Sequence, residues 1–252
     1  MFYDLNIPVS ATTGSAAAAQ EQLETKKRVE LLVHLGYHVV AYNHEVVGKL
    51  PPHHVNPIQK LDLPGVNLKQ LSRLTLVVDD MSQNYGLNTS NHVVSSYDLV
   101  AVQPTNEKLF QAACSTFEVD IISLDMSARL PFYLKHSTVG MAIERGIYFE
   151  LGYSAAIRDA SARRNLISNA QSLIRVTRGK NIILTSQAMR AIELRGPYDI
   201  INLNTVRAVA STEPIASLAE NEQWKLGTKR KKESQQTEAT SLPSKKAKET
   251  KS

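Results

Sequence analysis

Short apolar runs rich in β-branched residues recur seven times along the chain, at residues 2–5, 37–42, 74–78, 99–102, 119–124, 147–151 and 181–184. Helical patterns or long polar connections separate them. Runs of four to six apolar residues fit strands buried on both faces, and such strands pair in parallel beneath an outer layer of helices. Seven units in about 210 residues predict a compact α/β fold, a TIM-like (β/α) barrel of seven or eight parallel strands. Residues 191–195 are the one weak candidate for an eighth. An open doubly wound sheet is disfavoured, because no glycine-rich turn follows the first run.

The connections read as helices at residues 16–35, 106–114 and 137–144, and from Pro197 through Val209. Gly36 is a stop signal for the first, and Pro197 suits a first helical position. Residues 48–65 carry Pro51, Pro52, Pro57 and Pro64 and predict an irregular loop. No apolar stretch approaches the roughly 18 residues of a membrane span, and no secretory signal precedes the first strand. Cys114 is the single cysteine, so an intrachain disulfide is excluded; beside Ala112 and Ala113 it reads as a core thiol.

Charge divides the chain into a body, residues 1–223, and a tail, residues 224–252. The tail holds nine Lys or Arg against three Glu, whereas the body has 20 basic and 21 acidic residues. Having almost no apolar residue, the tail is expected to be disordered. Its clusters Lys229, Arg230, Lys231, Lys232 and Lys245, Lys246, Lys248 read as nuclear targeting or nonspecific RNA contact, with targeting favoured over a merely solubilising tail because both are compact. Within the body, the basic residues between 145 and 207 are nine arginines and one lysine. A planar guanidinium fork suits phosphate, so this bias fits an RNA partner and fits equally a salt-bridged layer of helices.

Active groups of a parallel barrel gather where its strands end. An enzyme built there would draw on Asp4, His44, Asp79, Asp125 and Glu150 as a metal-dependent phosphoesterase. Hydrolytic metal centres usually take several imidazoles, and of the seven histidines only His44 stands at a strand end. The adjacent His53 and His54 lack helical ligand spacing and read as a solvated loop. In the helix after the sixth strand, Leu166, Ile167, Ala170, Leu173 and Ile174 make a core stripe. Ser161 is its expected N-cap and Gly179 its stop, which places Arg163 and Arg164 in a first turn where the helix dipole disfavours cations. An anion should therefore lie near them, either Glu150 or a phosphate outside the protein.

The segments RGIYFELGYSAAIRDASARRNLISNA, GKNIILTS and IELRGPYDIINL, in that order, resemble the thirty-kilodalton protein subunit of ribonuclease P, shared in eukaryotes with RNase MRP. HLGYHVVAYNHEV and FYDLNIP match the family's second and first units, and GKLPPHHVNPIQKL resembles a fungal form of the second loop. The resemblance implies a barrel related to the polymerase-and-histidinol-phosphatase (PHP) metallophosphoesterases, with a degenerate metal site: Tyr3-Asp4-Leu5-Asn6 lacks the histidines of their first-strand motif. It implies no cofactor, no catalysis by the protein, and a role in 5′-leader removal from precursor tRNA and in precursor rRNA processing. The implied partners are ribonuclease P RNA, MRP RNA, a small RRM-like subunit and the other proteins of the particle, with precursor tRNA met indirectly. The implied location is the nucleus and nucleolus. Arg163, Arg164, Arg175, Arg178, Lys180, Arg190 and Arg195 become candidates for RNA or partner contact, and Glu150 an internal counter-charge that holds an arginine in place.

Overall fold

A computed structural model describes residues 1–9, 15–51, 53–81 and 91–203. The expected tail, its basic clusters, Pro52 and the far end of the last helix lie outside them. Seven strands, β1 Tyr3–Pro8, β2 Val39–Val47, β3 Lys69–Val78, β4 Leu99–Pro104, β5 Ile121–Ser123, β6 Tyr148–Gly152 and β7 Ile182–Thr185, pair in sequence order. Every ladder is parallel. Helices α1 Ser15–His34, α2 His92–Ser95, α3 Glu107–Ser115, α4 His136–Glu144, α5 Ser154–Arg158, α6 Ala160–Thr177 and α7 Pro197–Leu203 run between and after them. The result is a nearly closed barrel of seven strands.

The apolar runs make strands because each supplies two buried faces. Outward residues Leu74, Leu76, Val100, Val102, Ile122 and Phe149 pack beneath α3, α4 and α6, and Ile7, Val40 and Tyr42 pack against Val29 and Leu32 of α1. Inward residues Leu5, Val39, Ala41, Leu71, Ala101, Ile121 and Ile183 fill the end of the barrel where the strands begin. Side chains fill a barrel in layers, and the next layer toward the strand ends is polar. That layer explains why β1, β2 and β3 are longer than their apolar runs: Asn6, Asn43 and Arg73 continue the strands because the interior offers them partners.

Ala191–Glu193 forms a 3-10 turn rather than an eighth strand. Side chains close the seam between β1 and β7 instead. The Asp4 carboxylate accepts from the Ser186 N–H at 3.0 Å, and the Gln187 N–H donates to the Asn6 carbonyl at 3.1 Å. From outside, the buried Arg28 of α1 reaches the carbonyl of Pro8, the last residue of β1, at 2.9 Å and the Ala188 carbonyl after β7 at 3.0 Å. One guanidinium thus binds both edges. α6 begins two residues earlier than expected, with the Asp159 carboxylate accepting from the Ala162 N–H at 2.6 Å and Ser161 already inside the helix.

The seam strands a carboxylate. Asp4 is 1% exposed, and its Oδ2 has no hydrogen-bond partner among the described residues. Burial pushes its carboxyl up to about 6, against the N–H bonds that would lower it. A folded value above the unfolded one, about 3.9, means that stability is full below pH ~4 and lost as pH rises through ~6. Asp4→Asn removes the charge and keeps an acceptor. The melting-temperature difference between variant and parent should therefore grow in the variant's favour between pH 4 and 8, and a difference flat with pH would refute this account of the seam.

Candidate functional site

At the centre of the barrel, Arg73 of β3 faces Glu150 of β6. Both side chains are fully buried, with Nη1–Oε1 at 2.5 Å and Nη2–Oε2 at 2.7 Å. Charges taken out of water hold only if every remaining lone pair and proton is matched. Here no side-chain nitrogen or oxygen of the pair is left without a partner: Arg73 also donates to the Leu5 carbonyl at 2.9 Å and to Thr75 Oγ1 at 3.1 Å, while Glu150 accepts from Asn6 at 3.0 Å and Thr185 at 2.8 Å. The chain of bonds continues through Asn43, which donates to Asn6 and accepts from Thr75. Burial alone would raise the Glu150 carboxyl, but the Arg73 guanidinium and hydrogen bonds from Arg73, Ser123 and Thr185 hold it below the usual carboxylate range.

The arginine that Glu150 holds is Arg73, not Arg163 or Arg164 on the helix beyond. The anion near those two is Asp159, whose carboxyl the helix N–H groups and the nearby Arg164 hold below its usual value. A strand glutamate sealed in a barrel needs a cation on another strand. Reading β3 from Leu74 passes over Arg73 by one residue, and that unmatched charge was the signal available to find it.

The five residues of the phosphoesterase reading do not converge. Asp4 sits in the seam and Glu150 is committed to Arg73. Asp125 accepts from the Ser127 N–H at 2.9 Å and from its hydroxyl, and Asp79 lies exposed beyond β3. His44 stacks on His54 with ring centres 5.1 Å apart, and His54 bonds the Tyr97 hydroxyl at 2.7 Å. His54 is thus part of a packed stack, not a solvated loop residue. Burial keeps both imidazoles below their ordinary value. Among the described residues no three His, Cys, Asp or Glu side chains could hold a metal together, and these residues do not assemble the donors of a PHP centre. Burial also pushes the Cys114 thiol up to about 12, leaving it no nucleophile.

Above the polar layer, where the strands end, a cavity of about 430 Å³ opens to the surface. Asn6 and Asn43 form part of its floor, and His44, Gln103, Arg158, Gln187 and Met189 its walls. Gln187 has φ +50°, held there by its N–H bond to Asn6 and by Ser154 Oγ donating to its carbonyl at 2.8 Å.

The seven basic candidates divide between opposite ends of the barrel. Arg163 and Arg164 open α6 beside the strand ends, while Arg175 closes it and Arg178 and Lys180 follow, where β7 begins. From Arg163 to Arg178 the helical rise amounts to about 22 Å. Arg190 and Arg195 belong with the first group; Arg190 bonds the buried Glu193 at 3.0 Å and Arg195 donates to the Ile192 and Leu194 carbonyls. Arg175, Arg178 and Lys180 are exposed, and none has a side-chain partner among the described residues. Two further arginines of the same stretch serve other ends. Arg145 caps the carbonyls of Ala113, Cys114 and Phe117. Arg158, missed in the sequence, stands at the cavity.

The family model described as RNase P subunit p30 matches residues 1–223. The chain belongs to that family. It is 41% identical over 221 residues to the probable ribonuclease P protein subunit 3 of Schizosaccharomyces pombe, covering 88% of this chain and 90% of that one. Identity to the ribonuclease P protein subunit p30 of Mus musculus is 42% over 203 residues, 77% and 76% of the two chains. The ribonuclease P/MRP protein subunit RPP1 of Saccharomyces cerevisiae is 29% identical over 213 residues, 81% and 72%. A chain in the cryo-EM structure of archaeal ribonuclease P with mature tRNA shares the fold at TM-score 0.61 and 14% identity, each chain covered to 91%. The Arg73–Glu150 pair and its hydrogen bonds tie the strands together at the barrel centre of this p30-family chain.

Removing one partner of a buried pair leaves an unmatched charge and costs about 3–5 kcal/mol, while replacing both by apolar groups is far less damaging. Arg73→Met and Glu150→Gln should each lose stability on that scale in denaturant unfolding. The double variant Arg73→Met, Glu150→Leu should recover much of it, and strictly additive losses would show that the two charges act independently.

Proposed function

We propose that this chain is a noncatalytic protein subunit of ribonuclease P, supporting the RNA that removes 5′ leaders from precursor tRNA, and of RNase MRP in precursor rRNA processing. The family match across residues 1–223 carries the reading, and the relative from Saccharomyces cerevisiae bears both names. Its noncatalytic half is supported by the barrel centre, where the one fully buried glutamate of the polar layer is neutralised by Arg73. A free-standing phosphoesterase finds its carboxylates engaged or dispersed.

Function then resides on surfaces. Arginines at both ends of α6 let the barrel bridge two elements of the particle, with RNA phosphates met by guanidinium forks. The partners in this reading are ribonuclease P RNA, MRP RNA, a small RRM-like subunit and other proteins of the particle. Lys229, Arg230, Lys231, Lys232, Lys245, Lys246 and Lys248 would direct the chain to the nucleus and nucleolus.

Two charge-neutral variants test the surface assignment in particles assembled with the RNA. Replacing Arg163, Arg164 and Arg190 by Gln, and separately Arg175, Arg178 and Lys180, should each weaken assembly. Each lost phosphate contact should make the dependence of log K on log salt shallower by about one. Normal assembly and leader cleavage in both variants would remove these residues from the contact list. RNA-independent phosphoester turnover by the purified chain would overturn the noncatalytic reading.

A further inference from the structure

We infer that the cavity at the strand ends is a site for a single unpaired nucleobase of the particle's RNA, extruded from its strand and held by the carboxamides of Gln103 and Gln187. The inference rests on the proposed role as an RNA-bound subunit and adds to it a place where RNA is recognised base-first. At about 430 Å³ the cavity lies within the ~300–1,000 Å³ of small-molecule sites. Its chemistry selects against a phosphate: the single guanidinium, Arg158, is offset by the rim carboxylates of Glu45 and Asp125. A neutral, flat group with donors and acceptors on its edge fits better.

Carboxamides carry a donor and an acceptor side by side, the pattern that pairs with base edges. Those of Asn6 and Asn43 are used up in the polar layer, which makes the floor rigid. Those of Gln103 and Gln187 have no hydrogen-bond partner among the described residues, yet both line the cavity. Gln187 is held in the left-handed region by two backbone bonds, a conformation that costs free energy in any residue but glycine and that accumulates at binding sites. Its side chain lies over Gly152, where any β-carbon would collide with the carboxamide. Met189, Leu124 and Pro8 supply apolar surface for the faces of the base. Sequence-specific RNA recognition works on such splayed-out bases, through their edges and faces. The exposed Arg163 and Arg190 stand outside to meet the flanking phosphates.

Gly152→Ala is the discriminating variant. Gly152 has no left-handed torsion that alanine would strain, and the added methyl group displaces the Gln187 side chain from Cγ outward while meeting no backbone atom among its nearest contacts. Particles carrying the parent chain and their own RNA are irradiated to form zero-length protein–RNA crosslinks, which are mapped to peptides. The expected crosslinks fall on peptides containing His44, Gln103 or Met189 and drop at least tenfold in Gly152→Ala and in Gln103→Leu, while particle assembly persists. RNA crosslinks confined to other peptides overturn the base site and leave the subunit reading standing. A partner protein found in the cavity by chemical crosslinking also overturns it. Absence of RNA from the purified particle overturns the subunit reading itself.

Discussion

The buried Arg73–Glu150 pair is the constraint around which the barrel is arranged. Two opposite charges at 0% exposure are stable only if their geometry is bidentate and every other polar atom is matched. Matching them recruits β1 through Asn6 and Leu5, β2 through Asn43, β3 through Thr75, β5 through Ser123 and β7 through Thr185. Five strands besides that of Glu150 are thereby tied at one level, so the pair fixes register around the ring as no apolar layer could. Hydrophobic contacts tolerate sliding; a fork of two short hydrogen bonds does not.

That arrangement separates the barrel into three levels with different duties. The apolar end supplies cohesion, the polar middle supplies register, and the mouth is left free to bind. The seam follows the same logic. With seven strands the edges of β1 and β7 lack a neighbour, and Arg28, Asp4 and Asn6 meet backbone groups there that an eighth strand would have met. The seam leaves Asp4 Oδ2 and Arg28 Nε buried without a hydrogen-bond partner among the described residues. The central acid is locked to Arg73 and His44 is stacked on His54, within a chain of the p30 family.

Much of this was legible in the residues. The seven strands and most helices lie where apolar runs and stop signals put them, because burial on two faces demands consecutive β-branched residues whatever the fold. The histidine census left only His44 at a strand end, and the structure stacks that ring on His54. Arg73 was not legible as part of β3, since a charge inside an apolar run reads as the end of a strand; only its partner 77 residues later makes it an interior residue. Ser161 was read as a helix cap because serine is a good one, while Asp159, two residues earlier, does the capping. The local preferences of the two are nearly equal, and α5, packed just before, decides between them.

The sequence by itself determined the fold class, the family and the kinds of side chain available: a parallel α/β barrel, arginine-rich in its second half and poor in metal ligands. The fold class and the side-chain inventory follow from periodicity and composition, and the family from the resemblance of particular segments, all of which are local. Tertiary structure alone decided which charges meet. It paired Glu150 with Arg73, stranded Asp4 in the seam, sent Arg163 and Arg178 to opposite ends of one helix and brought Gln103 and Gln187 to one cavity. Those outcomes depend on strand register and barrel closure, which bring together residues far apart in the chain, and no local pattern encodes them.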